Sequence, residues 1–250
     1  MIFPIGDDNS DRTTTPVVNY VLIVINILVF VFLQQLGTNE RFTYAFSTVP
    51  AEILTGQDVA SPIRIRDPLT GGTAGVIEHQ PTPFSVYLTL LTSMFMHGGI
   101  AHIFGNMLYL WIFGDNLEHK LGHAKYLVFY LICGLLASLA HVFTSSGGSS
   151  FIPSLGASGA ISGVLGGYLL LYPKRRVRVI MLRMLTEVPA IVAIGLWFAF
   201  QLINGLGMLG SSSQEGGGVA YAAHIGGFIA GLALIKLFAA RRGQPEAPRF

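Results

Sequence analysis

Four side chains with the chemistry for acyl transfer stand in apolar stretches of the 250-residue chain: Ser158, His224, His102 and Asn106. A serine hydroxyl becomes a nucleophile when a histidine within hydrogen-bond reach accepts its proton. His102 and Asn106 are four residues apart, so on a helix they share one face and could donate hydrogen bonds to a developing oxyanion. The residue types therefore predict Ser158 as nucleophile, His224 as base, and two oxyanion donors.

Counting residues to the charged end of each helix predicts one depth for these groups in a membrane. Ser158 lies 14 residues before a basic turn, or about 21 Å at 1.5 Å per residue. The same arithmetic gives about 24 Å for His224 and about 20 Å for His102. The hydrocarbon core is about 30 Å thick, and irregular backbone at such depth needs protein or water around it. We expect a wet cavity with Ser158 at its floor.

Glycines near Ser158 and His224 would let their two helices approach closely. They follow small-xxx-small spacing, at Gly159, Gly163 and Gly167 in one stretch and at Gly226, Gly227 and Gly231 in the other. An alternative interpretation makes Ser158 one more small packing residue, and His102 and Asn106 interhelical hydrogen-bonding groups. Ionisable residues inside membranes are rare and usually functional, so the pairing of Ser158 with His224 favours chemistry.

Other kinds of site fit less well. His97 is five residues from His102, which turns it off that face, and we interpret it as an interfacial histidine. No acidic or cysteine ligand accompanies the histidines, so neither a metal site nor a cofactor is expected. A G-x-S-x-G elbow is not matched, because Ala160 occupies the position of its second glycine.

The composition is that of a membrane protein. The chain is 52% hydrophobic and 11% charged, which excludes an ordinary soluble domain and predicts a polytopic protein in a lipid bilayer. A net charge of +2 gives no reason to expect a nucleic-acid partner. The single cysteine, Cys133, excludes an internal disulfide. The polar first 15 residues lack a signal-peptide pattern, so we expect the first span to be a signal anchor.

Six apolar stretches are candidates for transmembrane helices. They cover residues 17–36, 86–113, 126–143, 158–171, 188–208 and 219–240. The fourth is short and begins at Ser158, inside the bilayer. The sequence therefore predicts an all-α polytopic membrane protein. Its parts are a cytosolic N-terminal segment, 1–16, a six-helix membrane domain, 17–240, with a long first loop, 37–83, and a cytosolic tail, 241–250.

The basic residues predict the orientation of this bundle. Six crossings place twelve of them on the side of the termini: Arg12, Lys120, Lys125, Lys174, Arg175, Arg176, Arg178, Arg183, Lys236, Arg241, Arg242 and Arg249. The other side receives three: Arg41, Arg64 and Arg66. Because positive charge accumulates inside, we expect both termini in the cytosol and the mouth of the cavity on the extracytoplasmic side.

Separated motifs carry a family resemblance. They are His97-Gly98-Gly99-Ile100-Ala101-His102 with Asn106, Phe113-Gly114-Asp115-Asn116-Leu117-Glu118, Gly156-Ala157-Ser158-Gly159, and Ala223-His224-Ile225-Gly226-Gly227. In this order and spacing the chain resembles the rhomboid family of intramembrane serine proteases, from its first span to Arg242.

The resemblance implies a six-helix rhomboid-like fold and a serine endopeptidase that cleaves transmembrane segments of membrane-protein substrates. It makes Ser158 the nucleophile and His224 the base of a dyad. It implies that His102 and Asn106 support the oxyanion. The expected location is a bacterial inner or plasma membrane.

The chain departs from the family pattern in two places. The first loop, 37–83, lacks the Trp-Arg pair often found in members. Ser162 stands where some members have an aromatic residue that stacks on the histidine. Its hydroxyl could hydrogen-bond His224, or its small size could serve only the approach of Gly227. We favour the second interpretation, since side-chain hydrogen bonds in membranes average only about 0.6 kcal/mol.

Two other functions fit parts of the sequence. A catalytically silent rhomboid-like protein that binds membrane clients would have no reason to keep both Ser158 and His224. A transporter with His102 and His224 as a proton relay is disfavoured, because the halves of the chain show no internal repeat. No carboxylate is expected to complete a triad, since Glu187 and Glu215 lie near span ends.

Overall fold

A computed structural model of the chain describes residues 2–66, 72–181, 184–210 and 220–239. Its helices are α1 (Val17–Leu28), α2 (Glu40–Ala45), α3 (Pro50–Thr55), α4 (Thr89–Thr92), α5 (Ile100–Leu121), α6 (His123–Thr144), α7 (Ser158–Leu171), α8 (Ala190–Gly210) and α9 (Tyr221–Ala239). Its strands are β1 (Ile2–Asp7), β2 (Ile63–Arg66), β3 (Thr73–Ile77), β4 (Arg176–Met181) and β5 (Met184–Pro189). The chain is thus mostly helical, as predicted, with short strands that the all-α prediction lacked.

Some of the sequence predictions fall outside the described residues. These are the tail 241–250, Glu215, the basic residue Arg183, and the end residues Val219 and Ala240 of the sixth predicted span.

Among the described residues, α6 and α9 are long and apolar enough to cross a membrane. The segment Val86–Phe95 and α5 pass the same test together, with a bend of 79° between them. The remaining apolar helices are shorter: Val17–Leu33, α7 and Ala190–Leu206. The described part of the chain therefore has two or three clear spans by length and composition, and the predicted count of six is not confirmed.

The second predicted span, 86–113, begins at Val86 as predicted, but it is interrupted between Phe95 and Ile100 and ends later than predicted. The chain breaks before α5 because the Gln34 side chain binds the backbone of His97, accepting from its N–H and donating to its carbonyl, both at 2.9 Å. At the other end α5 continues to Leu121. Its acidic residues have partners there: Asp115 forms an ion pair with Arg12, and Glu118 accepts hydrogen bonds from the first turn of α1.

The chain turns after α7 at the predicted basic segment, 172–176, but a β-hairpin that was not predicted follows, and α8 begins at Ala190 rather than at residue 188. In β4, arginines and valines alternate, and period two is the side-chain period of a strand. Val177 and Val179 are fully buried in the core, whereas Arg176 and Arg178 are exposed. β1 pairs antiparallel with β4, which pairs antiparallel with β5.

A buried polar network ties β1 to the helices. Asp7 accepts hydrogen bonds from the Tyr168 hydroxyl at 2.6 Å and from the Asn116 amide at 2.8 Å. Burial raises the pKa of Asp7 to about 7. Arg175 donates to Asn116 and to Asp11, both at 2.5 Å. The N-terminal segment is therefore fastened to the ends of α5 and α7.

The first loop holds the segment that leads to Ser158. Thr48 and Ser154 form an isolated antiparallel bridge, with backbone hydrogen bonds of 3.0 and 2.8 Å. The Thr48 hydroxyl lies 2.9 Å from that of Ser93, and the Ser93 carbonyl accepts from Gly156 N–H at 2.8 Å. These contacts determine where α7 begins.

Candidate active site

Glycines bring the backbones of α7 and α9 into direct contact. A Cβ added to Gly227 would overlap the Gly159 carbonyl oxygen, and one added to Gly231 would overlap the Gly163 carbonyl oxygen. The small-xxx-small prediction is confirmed for this pair of helices. The close approach brings the side chains at the start of α9 within reach of the start of α7.

Ser158 and His224 meet at these two helix starts. Ser158 is the first residue of α7, and its Oγ lies 2.8 Å from Nε2 of His224. The other ring nitrogen, Nδ1, lies 2.9 Å from Oε1 of Gln201 on α8. An Oγ–H···Nε2 hydrogen bond is the geometry that general-base activation of a serine requires.

His102 and Ser158 both lie close to Gly156. Gly156 has φ +124°, a conformation that favours glycine. A Cβ there would lie 2.9 Å from Nε2 of His102 and 3.7 Å from Oγ of Ser158. Nδ1 of His102 accepts a hydrogen bond from Gly98 N–H at 3.2 Å. The neutral ring therefore carries its proton on Nε2, the nitrogen beside Gly156, where it is a donor.

Asn106 stands one turn after His102 on α5. Its side chain is 7% exposed, and its Nδ2 is buried with no hydrogen-bond partner among the described residues. An amide donor buried without a partner costs about 1–3 kcal/mol. A buried polar group left in that state is a candidate for binding a ligand oxygen.

His97 is not the interfacial histidine that we predicted. Its side chain is fully buried and packs edge-to-face against His102, with ring centroids 5.2 Å apart. Its position follows from Gln34, whose side chain binds both backbone polar groups of His97. A single glutamine 63 positions away gave no spacing signal in the sequence.

The Ser162 hydroxyl is hydrogen-bonded to the backbone and not to His224. Its hydroxyl donates to the Ser158 carbonyl at 2.6 Å, and the residue is fully buried. The alternative in which this hydroxyl bonds His224 is therefore wrong, and the packing interpretation stays a prediction.

The neighbours of His224 on α8, Gln201 and Trp197, were missed by the sequence analysis. The Trp197 ring centroid is 6.1 Å from that of His224. An amide side chain in an apolar helix, four residues after a tryptophan, was the available signal.

The described residues contain no group of three or more His, Cys, Asp or Glu side chains arranged to hold a metal ion. The site that they form has one hydroxyl, one acceptor nitrogen facing it, and donors on α5. Nucleophilic attack with a histidine base requires a hydroxyl and an acceptor nitrogen in this arrangement.

Comparison with known proteins identifies relatives of the part of the chain that contains this site. A sequence model of the Rhomboid domain matches residues 85–241. Rhomboid protease GluP of Bacillus subtilis is 37% identical over 162 residues, which is 64% of this chain and 27% of the relative. Rhomboid protein 1, mitochondrial, of Saccharomyces cerevisiae is 33% identical over 147 residues, 58% of this chain and 40% of the relative. Presenilin-associated rhomboid-like protein, mitochondrial, of Bos taurus is 33% identical over 97 residues, 39% of this chain and 26% of the relative.

The chain thus spans between about a quarter and two fifths of the length of these relatives. The domain match covers more than half of the chain and includes Ser158, His224, His102 and Asn106. Because the match is that extensive, the chain belongs to the rhomboid family of membrane proteins.

Proposed function

We propose that this chain is an intramembrane serine endopeptidase that cleaves transmembrane segments of membrane-protein substrates through a dyad of Ser158 and His224. The observation that carries the proposal is the 2.8 Å separation between Ser158 Oγ and His224 Nε2 at two apposed helix starts. The similarity to a rhomboid protease over 64% of the chain supports it.

In this mechanism Ser158 Oγ attacks the carbonyl carbon of the scissile peptide bond, and its proton passes to Nε2 of His224. The imidazolium then gives that proton to the leaving amine, and the acyl group remains on Ser158. Water, deprotonated by the same nitrogen, attacks the ester; the imidazolium then returns the proton to Ser158 Oγ as the C–O bond breaks and the second product leaves. One base serves both half-reactions, so no further acid is required.

Three donors are available for the oxyanion of the tetrahedral intermediate. They are Nδ2 of Asn106, Nε2–H of His102 and the backbone N–H of Ser158. As the first residue of α7, Ser158 has no intrahelical acceptor for that N–H, and the positive end of the helix dipole lies there. Such preorganised donors are usually the largest single contribution to acyl transfer.

The membrane arrangement belongs to the same proposal. We place the protein in a bacterial inner or plasma membrane with six crossings, the fourth being α7. Both termini would be cytosolic, and the mouth of the site extracytoplasmic. The excess of basic residues on one side supports this orientation.

The test is cleavage of purified single-span membrane proteins by the reconstituted protein. We expect the wild-type chain to cleave at least one member of a substrate panel. Ser158→Ala and His224→Ala should each abolish cleavage while keeping the wild-type thermal melt, because dyad members act as a unit. Ser150→Ala, whose hydroxyl bonds only the nearby Gly147 carbonyl, is the matched control and should stay active. Cleavage retained by Ser158→Ala would overturn the mechanism. Client binding with no cleavage by wild type would favour the catalytically silent alternative.

A further inference from the structure

Both ring nitrogens of His224 have a partner, and only one of these belongs to the dyad. Nε2 faces Ser158 at 2.8 Å, and Nδ1 faces Oε1 of Gln201 at 2.9 Å. Gln201 is 6% exposed and lies on α8, whereas Ser158 and His224 lie on α7 and α9. A third helix therefore contributes a buried polar group that contacts the base directly.

The identity of that contact determines where the imidazole carries its proton. An amide oxygen can only accept, so the hydrogen bond to Oε1 requires hydrogen on Nδ1. In the neutral ring this leaves the lone pair on Nε2, facing the Ser158 hydroxyl. The opposite tautomer would lose the bond to Gln201 and would place an N–H where the base must accept.

No other described neighbour of His224 accepts a hydrogen bond from Nδ1–H. The titratable groups that act on it electrostatically are His102 of α5 and His141 of α6. Trp197 of α8 presents its ring, tilted by 36°. Ser162 of α7 is engaged with the Ser158 carbonyl. None of these groups is a carboxylate, and none is hydrogen-bonded to Nδ1.

We propose that Gln201 is the positioning residue of His224. Its Oε1 holds the imidazole in the tautomer protonated on Nδ1, and it keeps accepting the hydrogen bond from Nδ1–H when the ring becomes imidazolium. This inference rests on the proposed serine-protease function. In soluble triads a buried aspartate has this role. A neutral amide supplies the same acceptor without an ionised carboxylate inside the bilayer, where charge is costly.

Two nearly isosteric substitutions test the role. Gln201→Met keeps length and apolar packing but removes the acceptor, and a hydrogen bond to a group that becomes charged is typically worth a factor of about 10 to 100. We expect its kcat to fall by about that factor with KM within about twofold, since the bond strengthens in the transition state. The matched control is Asn204→Leu on α8, whose amide donates to the Phe200 carbonyl of its own helix at 2.7 Å. It should keep the wild-type kcat.

Gln201→Glu provides a measurement that a merely structural role would not change. A carboxylate on Nδ1 favours the imidazolium, so the midpoint of the kcat/KM profile should move to higher pH by about 1 to 3 units. Above that midpoint Gln201→Glu should be more active than Gln201→Met. Equal pH midpoints for wild type and Gln201→Glu, or a Gln201→Met enzyme within twofold of the Asn204→Leu control, would overturn the inference.

The tautomer can also be measured without any substrate. In protein labelled with ¹⁵N at its seven histidines, the His224 signal is assigned as the one lost in His224→Ala. We expect protonated Nδ1 in wild type and a mixture of tautomers in Gln201→Met. Protonated Nε2 in wild type would refute the role of Gln201 but not the protease function. Cleavage by Ser158→Ala would refute the proposed protease mechanism, and the tautomer measurement would remain valid.

Discussion

Replacing Asn106 by leucine should separate catalysis from stability. The side chain is buried, and its Nδ2 has no hydrogen-bond partner among the described residues. Leucine has nearly the same shape and removes the unpaired donor, whose burial costs about 1–3 kcal/mol. Asn106→Leu should therefore unfold at a higher temperature than the wild-type protein.

The same substitution should damage turnover. Removing one oxyanion donor typically lowers kcat by a factor of about 10² to 10³, or about 2.7–4 kcal/mol. The proposed bond from Asn106 forms only with the tetrahedral intermediate, so KM should change by less than about threefold. A variant that is more stable and much slower is the signature of a residue kept for chemistry.

The assay compares thermal melts in detergent with cleavage kinetics in proteoliposomes. Asn19→Leu is the contrasting control, because both ends of the Asn19 amide are bonded: Nδ2 donates to the Leu110 carbonyl at 2.9 Å, and Oδ1 accepts from Tyr126 at 2.6 Å. That variant should lose stability. The reasoning is refuted if Asn106→Leu melts below wild type, or if its kcat stays within threefold of the wild-type value.

Three further predictions follow from contacts elsewhere. Gly227→Ala should lower cleavage activity by at least about tenfold, because its Cβ overlaps the Gly159 carbonyl and separates α7 from α9. A thermal melt shows that the variant is folded, and wild-type activity in a folded variant would contradict this prediction. Ser162→Ala should keep at least a third of the activity, since its hydroxyl bonds the Ser158 carbonyl and not His224; an inactive folded variant would contradict the packing interpretation. The pKa of Asp7 is raised from 3.8 to about 7 by burial, so its contribution to stability is complete below pH 4 and declines by about 1.4 kcal/mol per unit until pH 7. The free energy of unfolding of Asp7→Asn should therefore rise relative to that of wild type between pH 4 and pH 7. A difference between the two free energies that does not change with pH would exclude this linkage.

Parts of the site followed directly from the sequence. Gly227 and Gly231 mark the contact with α7 because small-xxx-small spacing has a direct physical meaning, the approach of two backbones. Counting residues in helices also predicted that Ser158 and His224 share one depth, and they lie 2.8 Å apart. These inferences depend only on the rise per residue of an α-helix, which is constant, and on the positions and sizes of the residues, which the sequence states directly.

Other parts depend on contacts between distant residues, and spacing carries no signal for these. Gln34 and His97 are joined across 63 positions, and Gln201 and His224 across 23. The hairpin of β4 and β5 was missed for a different reason. Its basic residues were interpreted by charge alone, although Arg176 to Val179 alternate with the period of a strand.

The most direct test of the central claim is covalent labelling by a fluorophosphonate probe, which needs no knowledge of the substrate. The probe phosphonylates a serine only when a base activates its hydroxyl. We predict a single adduct on Ser158 by peptide mass spectrometry of the wild-type protein in membranes, and none in folded His224→Ala. Ser162, one turn along the same helix, should stay unmodified. An unlabelled Ser158 in folded wild-type protein, or equal labelling without His224, would contradict the proposed dyad.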